Sequence, residues 1–232
     1  MKFIEFLKDN IVVLDGAMGT QLQARGLSLG ELPEEWNISR AEDVEKVHRE
    51  YLAAGADVVY TNTFGANCLK FGERTESIVA AGVECAKRAA SMFTNKFVAL
   101  DVGPTGKLLQ PIGDLPFEKA VEIFARTIKA GVAAGADLIA IETMNDTYEL
   151  KAAVLAAKEF GGGLPIIATC VFGSDCKMMT GASPEAAVAL LEGLGVDAIG
   201  LNCSLGPKEM TGAVERFLKC ASVPVVVKPN AG

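Results

Sequence analysis

A junction written three times constrains the fold more than any other feature. Ala54-Gly-Ala-Asp57-Val-Val, Ala134-Gly-Ala-Asp137-Leu-Ile and Leu194-Gly-Val-Asp197-Ala-Ile each place a glycine where a helix stops, then an aspartate, then an apolar run. Glycine ends helices because it enters the left-handed conformation without a Cβ penalty, and a short apolar run reads as a buried strand. The repeating unit is helix, Gly, Asp, strand. Strict alternation of this kind requires right-handed parallel crossovers, in a closed (β/α)8 barrel or an open doubly wound sheet.

Strands are expected over 11–15, 57–62, 97–101, 137–142, 165–170, 197–202 and 223–228. Nearly all end in a polar residue: Asp15, Asn62, Asp101, Glu142, Cys170, Asn202 with Cys203, and Lys228. A barrel collects every such end on one face, whereas an open sheet uses only its switch point, so the expected fold is an α/β (β/α)8 TIM barrel. Seven strands are legible where a barrel needs eight. The expectation is one domain over 1–232 that is C-terminally incomplete, its last strand supplied from elsewhere.

Between the strands, Phe117, Val121, Phe124, Ile128 and Val132 recur at intervals of three and four and mark the clearest helix. Ser39-Arg-Ala-Glu42 reads as a capping box, Asp146 as a cap with Glu149 three residues on, and Ser183-Pro184 as an N-cap followed by proline at the first helical position.

With 232 residues, half of them hydrophobic, the chain can bury a substantial core. A net charge of -7 with dispersed cations argues against nucleic acid or an anionic membrane surface as partner, and no apolar run approaches membrane-spanning length. Six cysteines without disulfide-scaffold spacing, and an N-terminus without a signal-peptide core, point to a reducing compartment, the cytoplasm.

Four groups carry the chemistry: Asp15, Glu142, Asn202 and Cys203. The carboxylates of Asp15 and Glu142 can receive a substrate ammonium while N–H groups at Gly16 and Ala17 receive a carboxylate, together an amino-acid clamp; the alternative is that both acids only cap helices or bind loop amides. Cys203 is a metal-ligand or nucleophile candidate, or a buried thiol. Cys170 and Cys176 lie near the same rim with no usual zinc spacing, and His48, the single histidine, sits within a helix remote from any strand end. A Cys-His or Ser-His dyad is therefore not expected.

The run Leu14-Asp-Gly-Ala-Met-Gly-Thr-Gln-Leu22, the Pro33-Glu-Glu-Trp-Asn37 loop, Thr61-Asn-Thr-Phe-Gly-Ala66, Ile141-Glu-Thr-Met144, Thr180-Gly-Ala-Ser-Pro-Glu185, Gly200-Leu-Asn-Cys203 and Lys228-Pro-Asn-Ala-Gly232 closely resemble the homocysteine S-methyltransferase family, in order and spacing and along the whole chain. The resemblance implies methyl transfer to a zinc-bound homocysteine thiolate on a (β/α)8 barrel, giving methionine. It implies Cys203 as a zinc ligand, Asn202 as its neighbour in the site, Asp15 and Glu142 as groups contacting homocysteine, and Gly16 and Ala17 as amide donors. The family's other two zinc cysteines form an adjacent pair at the eighth strand, so the remaining ligands are expected beyond Gly232. Within the family the likeness is to members that use methylcobalamin bound by other domains and work beside folate and cobalamin modules of the same polypeptide; other members use betaine or S-methylmethionine.

Overall fold

The structure is a computed structural model that describes residues 2–231. Its helices are α1 (Phe3–Asp9), α2 (Met18–Gln23), α3 (Trp36–Ser39), α4 (Ala41–Ala53), α5 (Cys68–Phe71), α6 (Thr75–Ala90), α7 (Phe117–Ala133), α8 (Thr147–Phe160), α9 (Pro184–Gly193) and α10 (Pro207–Cys220). The strands are β1 (Val58–Tyr60), β2 (Phe97–Val102), β3 (Leu138–Met144), β4 (Ile166–Cys170), β5 (Ala198–Asn202) and β6 (Val225–Lys228). Among the described residues these strands form one sheet in the order β1-β2-β3-β4-β5-β6, and the pairings of β1 with β2, β4 with β5 and β5 with β6 are parallel. A doubly wound sheet reverses its order at a switch point; this one does not. The topology is the singly wound α/β arrangement of the (β/α)8 barrel.

The thrice-repeated junction shows what its two polar positions do. Gly55, Gly135 and Gly195 have φ of 112°, 92° and 70°, values that side chains rarely adopt. Each aspartate then clamps the start of the preceding strand segment from two sides. The carboxylates of Asp57, Asp137 and Asp197 accept from the N–H groups of Val13, Val98 and Ile166 at 3.0, 2.8 and 2.8 Å. Their own N–H groups donate to the carbonyls of the same three residues.

The chain divides into two compact units. The first comprises Met1–Val102 and Arg126–Ile139. Its helical layer buries Leu22, Trp36, Val44, Val47 and Cys85 together, and Leu52, Val59, Val98, Ala86 and Ala89 fill the space between β1, β2 and the helices α4 and α6. The segment 11–15 departs from expectation, since it forms a single parallel bridge, Leu14 to Val58, instead of a strand. Ile11 is 95% exposed and Val13 51%, so these two apolar side chains gain little from burial. The expected capping box also fails. Ser39 is itself helical, at the end of α3, and its hydroxyl donates back to the Glu35 carbonyl at 3.0 Å.

The second unit comprises Gly103–Ala125 and Ala140–Gly232. Here the expected caps form: the Asp146 carboxylate accepts from Tyr148 N and Glu149 N, and the Ser183 hydroxyl accepts from Ala186 N. Within its sheet Cys170 pairs with Leu201, Gly200 with Val226 and Asn202 with Lys228. Phe172 and Phe217 meet edge to face, with ring centroids 5.7 Å apart, where α10 covers the sheet.

Candidate functional site

In the second unit, parallel registration brings Glu142 and Thr143 of β3, Thr169 of β4, Asn202 and Cys203 at the end of β5, and Lys228 at the end of β6 into one polar group. The Asn202 side chain ties it together. Its Oδ1 accepts from Thr143 N at 3.0 Å and from the Thr169 hydroxyl at 2.8 Å. A backbone N–H is an obligate donor, so only the amide oxygen can face Thr143 N, and Nδ2 must face the other way. There it donates to Thr143 Oγ1 at 2.8 Å and to Cys203 Sγ at 3.3 Å.

Three departures from ordinary backbone accompany this group. Thr143, Cys203 and Ser204 have φ of 63°, 58° and 63°, in the left-handed region that non-glycine residues rarely occupy. Strain of this kind costs about 1–3 kcal/mol per residue and concentrates at sites whose side chains must be aimed. The Cys203 N–H is meanwhile held by the Lys228 carbonyl at 3.0 Å.

Burial, and after it the charge of Glu142, push the Cys203 thiol above its ordinary pKa; the Thr143 hydrogen bond, the Lys228 charge and the Asn202 hydrogen bond oppose them. Lys228 Nζ lies 3.5 Å from Glu142 Oε2, and both side chains are largely buried, 22% and 12% exposed. Thr143, Thr169 and Lys228 are the members that sequence reasoning did not single out for the site. Lys228 had a signal, a cation ending the run Val225-Val-Val-Lys228.

In the first unit Asp15 is buried, and its Oδ2 accepts from Tyr60 N at 2.8 Å. Gly16 follows with the Tyr51 ring against it: a Cβ there would come 2.7 Å from the Tyr51 hydroxyl oxygen. That hydroxyl donates to the Ala17 carbonyl at 3.0 Å, and Ala17 is the residue before α2. Asn62 works for the loop before it, since its Nδ2 donates to Pro33 O at 2.7 Å and Asn37 Oδ1 at 2.9 Å. Glu34 Oε1 accepts from Gly65 N at 2.6 Å. The Pro33–Asn37 and Thr61–Ala66 motifs thus interlock.

The remaining thiols do not join Cys203. Cys170 is fully buried and its thiol is pushed up to about 12 by that burial, while Cys176 sits over Gly212 and touches Arg216 on α10. All six cysteines are free. Among the described residues no three His, Cys, Asp or Glu side chains gather as a metal donor set, so these residues alone supply one thiol and do not fit the zinc that the resemblance implies, which takes three or four protein ligands.

Comparison with known proteins decides the family. Residues 12–232 match the family model described as homocysteine S-methyltransferase. The chain belongs to the homocysteine S-methyltransferase family. It is 35% identical over 248 aligned positions to the methionine synthases of Mycobacterium leprae and Mycobacterium tuberculosis, covering 99% of this chain and 20% and 21% of those proteins. The chain therefore spans about a fifth of the length of the curated relatives it matches. Among solved structures, the metallated form of the homocysteine methyltransferase MmuM from Escherichia coli superposes with a TM-score of 0.88 at 25% identity, covering 98% of this chain and 86% of that one. This match bears out the (β/α)8 barrel class.

Proposed function

We propose that this chain is the homocysteine-binding barrel of a methionine synthase, a single domain over residues 1–232 completed by further sequence, in which the homocysteine sulfur accepts a methyl group to give methionine. The observation that supports it most is the group formed by Glu142, Asn202, Cys203 and Lys228 at the strand ends of a family member. Glu142 receives the substrate ammonium, and the family resemblance carries Asp15, Gly16 and Ala17 as further homocysteine contacts. Asn202 orients the Cys203 sulfur, and Thr143 and Thr169 orient Asn202. In the reaction the homocysteine sulfur loses its proton and forms a bond to the methyl carbon, whose bond to the donor breaks with the electron pair leaving on the donor.

In this reading Cys203 gives one thiolate to a zinc ion whose other ligands lie beyond Gly232. Methylcobalamin is the donor, bound by other domains, and folate and cobalamin modules of the same polypeptide are the partners. The compartment is the cytoplasm; among the described residues no helix is long and apolar enough to cross a membrane.

A second reading has one observation in its favour. The superposition on MmuM, itself described as a homocysteine methyltransferase, suits a methyltransferase using another donor, such as S-methylmethionine or betaine. Incubating the full-length protein with L-homocysteine and each of the three donors separates the readings. Methionine from methylcobalamin alone supports the first, methionine from another donor the second, and none from any donor counts against both.

A further inference from the structure

We infer that the site gives up folding stability to aim the Cys203 sulfur: Thr143 is kept in a strained backbone conformation because that conformation presents both its N–H and its hydroxyl to Asn202, which makes Thr143 a positioning residue of the reaction. The inference rests on the methyl-transfer reading above and deepens it. Thr143 has φ of 63°. A β-branched residue is a rare occupant of the left-handed region, since two heavy atoms on Cβ add to the clash that already keeps side chains out of it. Glycine would take the same conformation without strain. A threonine held there points to a use for its side chain.

Along a regular strand the N–H lies in the sheet and points to the neighbouring strand, while the side chain stands off the sheet. At Thr143 both groups meet a single side chain, and it comes from β5, with β4 lying between. Thr143 N donates to Asn202 Oδ1 at 3.0 Å, and Thr143 Oγ1 accepts from Asn202 Nδ2 at 2.8 Å.

An amide side chain offers two acceptor sites and two donor hydrogens. Asn202, 1% exposed, uses all four. Its Oδ1 takes the Thr143 N–H and the Thr169 hydroxyl, and its Nδ2 gives one hydrogen to Thr143 Oγ1 and the other to Cys203 Sγ at 3.3 Å. At that burial a lost partner is not replaced by bulk water, so removing the Thr143 hydroxyl leaves an Nδ2 hydrogen without an acceptor and loosens the amide that points at the sulfur. Thr143 Oγ1 also lies 3.9 Å from Cys203 Sγ, which closes a ring of three side chains. On the far side of that ring Cys203 is itself left-handed, with φ of 58°. Strain therefore stands at both ends of the contact that fixes the sulfur.

Urea melts and steady-state methionine formation from L-homocysteine, with full-length Thr143→Ala, Thr143→Gly and Thr143→Ser and the donor that the wild type uses, test this. Alanine and glycine both lack the hydroxyl, but only glycine relieves the backbone. Thr143→Gly is therefore expected to have a higher urea midpoint than Thr143→Ala, while both lose about tenfold in kcat with KM for homocysteine within about threefold of wild type, and Thr143→Ser regains most of the rate. A residue with a merely structural role would not separate rate from stability in this way. The inference is overturned by a Thr143→Ala midpoint at or above that of Thr143→Gly, by a wild-type kcat in Thr143→Ala, by a loss carried by KM alone, or by a Thr143→Ser variant as slow as Thr143→Ala. Unfolding of both Thr143→Ala and Thr143→Gly, seen by circular dichroism, also overturns it, because Thr143 is then a structural residue. Wild-type protein that forms no methionine overturns the reaction reading and the positioning role with it, a result told apart from failure of the inference alone, in which the wild type is active and the variants do not follow the expected pattern.

Discussion

Glu142 and Asp15 are both strand-end carboxylates, yet their surroundings differ, and the difference sets what each substitution does. Asp15 has one oxygen committed to the Tyr60 amide, whereas Glu142 faces the Lys228 ammonium. Glu142→Gln removes the charge that attracts an ammonium and is expected to weaken homocysteine binding by about 1–3 kcal/mol; Asp15→Asn, which can still accept from Tyr60, should lose a similar amount of affinity and less stability. Unchanged affinity in both variants would return the two acids to a purely structural role. His48 belongs to the same scale. Among the described residues neither of its ring nitrogens has a hydrogen-bond partner, and complete burial lowers its pKa from 6.5 to about 4. The folded state therefore resists a proton that the unfolded chain accepts. Stability is full above about pH 6.5 and falls as pH drops through the window toward 4, by about 3 kcal/mol when complete. His48→Leu should flatten that limb in denaturant melts at pH 7, 5.5 and 4; an unchanged acid limb would show that another group controls it.

At the scale of elements, the sequence is most readable where a residue's role is local. Gly55, Gly135 and Gly195 announce helix ends because the backbone there takes φ > 0, which glycine adopts without strain, and Asp146 and Ser183 announce helix starts because the N–H groups that donate to them lie two or three residues on. Segment 11–15 and Ser39 misled for the opposite reason. Exposure on one side and a preceding helical turn are decided by what packs nearby. The site divides the same way: Glu142, Asn202, Cys203 and Lys228 are legible as polar ends of apolar runs, while Thr143 and Thr169 join only through cross-strand contacts. Register also makes Gly200 indispensable. A Cβ there would stand 1.9 Å from the Val226 carbonyl oxygen, a backbone atom that moves only if β6 shifts. Gly200→Ala is expected to cost about 3 kcal/mol, the upper range for overpacking, read as a lower urea midpoint. An unchanged midpoint would mean that β6 is free to move away from β5.

For the whole molecule, sequential strand order and the family match fix the scaffold, and in the proposed function the chemistry turns on one sulfur. Because the described residues gather no set of three metal donors, the isolated 232-residue chain should retain almost no zinc after dialysis against a mild chelator, the full-length protein about one equivalent, and full-length Cys203→Ala almost none. Retention of zinc by Cys203→Ala would remove that residue from the metal set. The most direct test is the rate of methionine formation from L-homocysteine by full-length wild-type protein and its Cys203→Ala variant under identical conditions. The account predicts methionine from the wild type and a loss of at least about a hundredfold in the variant, since even outer partners of a metal ligand are worth about ten- to a hundredfold. Equal rates in the two proteins would contradict it.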